Sequence, residues 1–199
     1  MSTATLITDR ISPRVRRYLT AADMAALPTC LPTGDVRYEL DNGRLVVMAP
    51  PGNTHGKYQA RIASVLLTGA EDQGLGAARG EVGIVLRRNP DRVVGADAAF
   101  ILARSFPIRE SKEGYLETIP EIVVEIRSKN DTQPEIASKV TEYLDAGTLV
   151  VWILDPDEQT VTAHRLDQPA QIFRSGDNLT CSDLLPGFAT PVVRLFGGV

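Results

Sequence analysis

PEIVVEIRSKND, residues 120–131, is the stretch on which the reading of the fold turns. Its middle, Ile122-Val123-Val124, is a short, continuous, β-branched run. That pattern belongs to a strand buried on both faces, the kind found inside an α/β sheet. An acid, Glu125, then interrupts the apolar end of the strand, and Arg127 follows two residues later. An unpaired carboxylate in an apolar interior costs several kcal/mol or takes up a proton. Either Arg127 neutralises Glu125 as a structural pair, or Glu125 faces a cleft and binds something cationic.

Working outward, the segment from Gln133 or Pro134 to Ala146 has helical spacing. Ile136, Val140 and Leu144 form one apolar stripe bordered by Tyr143, and Gly147 supplies a natural stop. TLVVWILD, residues 148–155, is a second buried strand ended by Pro156. A strand, a helix and a strand in that order predict a βαβ unit. Upstream, VRYEL and RLVVMAP flank Asp41-Asn42-Gly43, a hairpin signature. Thr20 caps a short helix that Pro28 closes, and an amphipathic helix runs from His55 to about Asp72 with Tyr58, Ile62, Val65, Leu66 and Gly69 on one face. GIVLRRNPDRVVGADAAFIL gives two strands around Asn89-Pro90-Asp91, TVTAHRL and AQIFRS a last hairpin, and LPGFATPVVRLF a C-terminal segment. The order predicts one α/β (α+β) domain over residues 20–199, a central mixed sheet flanked by helices. Residues 1–19 form a candidate flexible arm carrying Arg14, Arg16 and Arg17.

The bulk composition narrows the function. With 21 Lys and Arg against 25 Asp and Glu, the net charge is −4 and the pI about 5.3. No global basic field marks a simple DNA-binding module, although an enzyme needs only a local basic cleft. Cys30 and Cys181 have no CxxC spacing and read as two free thiols. No apolar run approaches the roughly 18 residues of a membrane span, and the N-terminus has no signal-peptide core, so the expected location is the cytoplasm.

Four ionisable residues stand where a pure core would not place them. Asp97 interrupts VVGADAAFIL on the face of Val93, Gly95, Ala99 and Ile101; Glu125 ends its strand; Glu39 closes RYEL; Lys139 lies about 60° from Ile136 around its helix, at the rim of the buried stripe. From there its stem can run along the sheet to a carboxylate. Two carboxylates and a lysine suit phosphodiester hydrolysis with a hard divalent ion. The same residues also allow structural Asp97–Arg and Glu125–Arg127 pairs with Lys139 on the surface. Of the remaining candidates, Trp152 reads as core, His164 as an exposed strand residue, and Arg79, Arg87, Arg88 and Arg92 as a basic rim or as solvated hairpin charges.

The motifs RYELDNGRLVVMAP, His55 at a helix start, ADAAF, IPEIVVEI, KVTEYLDAG and VVWILDPDEQTV occur in one order from about Arg37 to LLPGF. This resembles the Uma-two family of restriction-endonuclease-like proteins in the PD-(D/E)XK nuclease superfamily, most specifically in ASKVTEYLDAGTLVVWILDP. The resemblance implies the restriction-endonuclease-like fold and a magnesium-dependent DNA endonuclease, with manganese able to substitute. It implies Asp97 as the motif aspartate and Glu125 as the strand acid, both metal ligands with the Ile126 carbonyl. Lys139 would be the catalytic lysine moved onto the following helix, Glu39 a catalytic acid of the early motif, and His55 and Arg127 substrate contacts. Ala96 replaces the motif proline and Ser128-Lys129 the usual Ser-Pro. DNA is the implied partner, and a homodimer is allowed without being required. A non-catalytic module on a nuclease scaffold, binding nucleic acid or protein, is the alternative.

Overall fold

The structure is a computed structural model that describes residues 18–32, 34–48, 50–129 and 131–197. The proposed arm lies almost wholly outside the described residues. Its last two members, Tyr18 and Leu19, do not: Leu19 donates its N–H to the Gly43 carbonyl at 2.8 Å and packs on the apolar cluster around Leu40 and Met24.

Four helices, α1 (Ala21–Ala25), α2 (Asn53–Leu66), α3 (Gln133–Asp145) and α4 (Val192–Phe196), surround the strands among the described residues. The strands run β1 (Cys30–Leu31), β2 (Gly34–Asp35), β3 (Arg37–Asp41), β4 (Arg44–Met48), β5 (Gly76–Arg87), β6 (Arg92–Leu102), β7 (Ile122–Ile126), β8 (Val150–Asp155), β9 (Thr160–His164), β10 (Gln171–Phe173), β11 (Asn178–Thr180) and β12 (Ala189–Pro191). Eight of them form one mixed sheet in the order β10-β9-β8-β7-β6-β3-β4, with β5 also paired to β6; β1–β2 and β11–β12 are separate two-stranded pairs.

The expected strand–helix–strand unit is present. β7 and β8 are parallel, Val124 opposite Trp152, and α3 makes the crossover. All five residues of β7 and nearly all of β6 are buried, because helices cover both faces. Ile122, Val124 and Ile126 face the cluster built on Tyr58, Ile62 and Leu66 of α2 and on α4. Val123 faces the other side, with Val140 and Tyr143 of α3. Period two then directs Glu125 to the α3 side, where Lys139 also lies.

Local chemistry sets the element ends. Thr132 and Glu135 make a reciprocal capping box on α3, and Gly147 (φ 109°) takes the left-handed stop. Thr20 and Asp23 do the same for α1. Asn42 (φ 51°) and Gly43 (φ 72°) make the β3–β4 turn, as the Asn-Gly pair requires. Helix α2 starts two residues before His55 and passes after Leu66 into a π-helical turn, Leu67–Glu71. Trp152 is fully buried and stacks on Phe188 at 6.0 Å. His164 is half-buried rather than exposed, since β9 is covered on both edges by β8 and β10. No helix among the described residues is long and apolar enough to cross a membrane.

Candidate active site

One edge of β6 is occupied along its length by β5. The opposite edge is shared: β7 pairs at Ala98–Phe100 and β3 pairs at Val93. Between those two partners the sheet opens, and the backbone groups there need other acceptors. Two acids supply them. Gly95 N–H donates to Glu39 Oε1 at 3.1 Å, and Ile126 N–H donates to Asp97 Oδ2 at 2.8 Å. The site is thus a notch in the sheet, built where strands diverge.

One step beyond the Ala98–Val124 pair, the register sets Asp97 against Glu125 on adjacent antiparallel strands, hence on one face. Both are about 8% exposed. Glu125 accepts from Tyr143 Oη at 2.6 Å and from Lys139 Nζ at 3.1 Å. Burial, followed by the nearby Asp97 charge, pushes the Glu125 carboxyl up to about 7, although Lys139 opposes the shift. Glu125 in turn raises the Lys139 ammonium above its ordinary value, so the lysine is held protonated. Burial, reinforced by the Glu125 charge, raises the Tyr143 hydroxyl and keeps that group a donor.

His55 Nε2 lies 2.8 Å from Asp97 Oδ1, and this hydrogen bond raises the imidazole pKa against the opposing effect of burial. One turn along α2, Gln59 donates to the Asp97 carbonyl at 3.3 Å. The i, i+4 spacing of His55 and Gln59 was the available sign of this second contact. Arg127 does not neutralise Glu125. It lies just past the end of β7 and pairs with Asp155 of β8 at 2.6 Å. The structural-pair explanation of Glu125 through Arg127 is therefore incorrect, and Asp97 is engaged by His55 and a backbone amide rather than by an arginine.

The arginine rim is also corrected. Arg92 is buried, donating to Glu39 Oε2 at 3.3 Å, to the Leu40 carbonyl at 3.0 Å and, through Nη2, to Glu142 Oε2 at 2.6 Å. It ties α3 to β3 and answers the Glu39 charge. Arg88 is paired with Asp91 and Glu117, and Arg87 with Asn42.

Glu39, His55, Asp97, Glu125, Arg127 and Lys139 line a cleft of about 690 Å³. Five carboxylates (Glu39, Asp97, Glu125, Asp131 and Asp157) face four Lys or Arg side chains (Arg37, Arg127, Lys129 and Lys139), and Ile126 and the α2 start at Asn53–His55 complete the wall. Among the described residues, no three His, Cys, Asp or Glu side chains are grouped so as to hold a metal ion. Two hard carboxylates, Asp97 and Glu125, are, however, set against each other on adjacent strands, both buried. That donor set fits a hard divalent cation completed by backbone oxygen and water.

None of the curated proteins matches the sequence. Among solved structures, the fold resembles a protein of Anabaena variabilis described as "a putative nuclease belonging to DUF820". The TM-score is 0.69 at 20% identity, over 88% of this chain and 96% of that one, which establishes the fold as shared. The Uma2 family, described as "Putative restriction endonuclease", matches residues 22–193. A match over nearly the whole described chain, on the fold that this family was expected to have, means that the chain belongs to the Uma2 family.

Proposed function

We propose that this protein is a metal-dependent endonuclease that hydrolyses phosphodiester bonds in DNA. The observation that carries the reading is the buried Asp97–Glu125 pair with Lys139 at hydrogen-bond distance from Glu125. The family match and the shared fold support it. Asp97, Glu125 and the Ile126 carbonyl would hold a magnesium ion, for which manganese can substitute. When bound, the ion neutralises charge on the phosphate and lowers the pKa of a water. The excess of acids in the cleft gives the reading an order: a phosphate is repelled until a cation is present.

The chain's own residues have distinct roles in this scheme. His55, on Asp97 Oδ1, and the Ile126 amide, on Oδ2, fix the aspartate rotamer and leave each oxygen a further lone pair. Tyr143 fixes Glu125 in the same way. Lys139, held protonated, donates to the attacking water or to the charge that develops on the phosphate. Glu39, compensated by Arg92, holds the edge of β6 at Gly95 and borders the reacting phosphate. Arg127, anchored by Asp155 at the mouth, meets the strand on either side of it. The setting is the cytoplasm, and a homodimer would present two such clefts.

The test is cleavage of supercoiled plasmid by wild type, Asp97→Asn and Glu125→Gln in magnesium and in chelator. Nicking by the wild type in magnesium alone is the expected result. Equal cleavage by all three proteins would refute the assignment. DNA binding without cleavage in any metal would instead favour the non-catalytic module.

A further inference from the structure

A second cleft of about 350 Å³ adjoins the first and shares Arg37, Met48, Gly95 and Asp97 with it. It lies between the β5–β6 face and the segment that follows α1, and none of its remaining lining is used by the reaction above. Its volume falls in the usual range for ligand sites of about 300–1,000 Å³. The walls are apolar and aromatic, with Met24, Leu27, Val82 and the ring of Tyr115. That ring lies directly over Gly83, where a Cβ would meet its Cδ1 at 2.6 Å. The polar lining includes three acids, Glu81, Glu113 and the shared Asp97. A phosphate is therefore unwelcome inside, whereas a neutral planar group carrying amino protons is favoured.

Arg37 stands at the junction of the two clefts and is ion-paired with Glu81. The pair is partly exposed, 32% for Arg37 and 46% for Glu81, so it can be exchanged for a phosphate at little cost. Whatever occupies the second cleft is thus joined through Arg37 to whatever lies at Asp97. We propose that the second cleft takes one unpaired nucleobase of a DNA strand whose neighbouring phosphate sits at the acid pair, with Arg37 on the phosphate between them. This rests on the endonuclease reading. It adds the substrate class: a single strand, or a duplex with an unpaired nucleotide. Tyr115 supplies a stacking surface, and Glu113 accepts from an exocyclic amino group. A base in an intact duplex must first leave the stack, at a cost that a mismatch or single strand avoids.

The experiment uses the full chain in calcium with oligonucleotides carrying one 2-aminopurine, as single strand, matched duplex and duplex with one unpaired nucleotide. Anisotropy gives affinity, and 2-aminopurine quenching reports stacking. The single strand and the unpaired duplex should bind about tenfold tighter than the matched duplex, with quenching. Ala25→Trp, at an exposed position lining the second cleft, should abolish both the quenching and the preference. Tyr115→Ala should cost about tenfold in single-strand affinity, and Ala25→Trp decides the matter if that variant does not fold. Equal affinity for all three DNAs, or a preference untouched by Ala25→Trp, overturns the proposal. If plasmid is cleaved in magnesium but no base is quenched, the second-cleft assignment falls and the nuclease reading stands. If quenching follows Ala25 while no metal supports cleavage, the cleft assignment stands and the nuclease reading falls.

Discussion

Lys139 and Arg127 both follow the strand acid, yet only one of them reaches it. Lys139 Nζ meets Glu125 at 3.1 Å, whereas Arg127 is bound to Asp155. Lys139→Ala should therefore lower single-turnover cleavage by about 10²-fold, the scale of one positioned acid–base or charge-stabilising group. Manganese affinity, measured by calorimetry, should survive, because lysine is not a ligand. Arg127→Ala should weaken DNA binding or stability more than the chemical step. If Lys139→Ala cleaves at the wild-type rate while Arg127→Ala is folded and inactive, the roles are reversed. Glu125 gives a second prediction. The folded protein binds its proton more tightly than the unfolded chain, where the carboxyl titrates near 4.5. The stability linked to that proton is full below about pH 4.5 and is lost as pH rises through about 7. In chelator, the Tm of Glu125→Gln minus that of the wild type should grow by several degrees between pH 5 and pH 8, since about 1 kcal/mol corresponds to roughly 2–4 °C at this size. A difference constant with pH would mean that Glu125 is ionised throughout. Asp97, Glu125 and Lys139 were legible as candidates in the sequence because charge stands out in apolar periodicity. The partners of Asp97 were not, since His55 comes from a helix 42 residues away and the register that joins them is a long-range property.

At the scale of elements, the strand–helix–strand unit was legible for local reasons: a buried β-branched run, a capping box and a terminal glycine act within a few residues. Thr132→Ala should cost about 1 kcal/mol by removing the side-chain cap on α3, a Tm loss of roughly 2–4 °C in a thermal melt. Arg92 illustrates what was not legible. Its placement in a hairpin suggested a solvated charge, but β6 is central in the sheet, so its first side chain is carried inward between Glu39 and Glu142. Arg92→Met leaves two acids without their cation, and a loss of about 3 kcal/mol is expected in urea unfolding. A change below about 0.5 kcal/mol would show that Arg92 is not a tie between α3 and β3. The divergence of β3 and β7 along one edge of β6 was likewise invisible, since no sequence pattern records where two strands stop sharing a neighbour.

For the whole molecule, the charge balance counts against a broad basic face and leaves only local cations for a phosphate. The chain is acidic, and the arginines proposed as a rim are largely engaged by Asp91, Glu117, Glu39 and Glu142. Phosphate contacts then fall to the few cations in the cleft, so DNA affinity should depend only moderately on salt. In calcium, the slope of log K against log[salt] should correspond to about two to four phosphates, at roughly 0.7 to 0.9 per phosphate. A slope near that of a protein neutralising ten phosphates would point to a different surface. Under the proposed mechanism, Asp97 and Glu125 together hold a divalent cation. A crystal soaked in manganese, measured at the manganese absorption edge, tests it most directly. One anomalous peak is expected between the Asp97 and Glu125 carboxylates, within about 2.0–2.2 Å of oxygens from both, and its loss in Glu125→Gln. Full manganese occupancy elsewhere in the molecule, with the Asp97–Glu125 notch unchanged and empty, would contradict it.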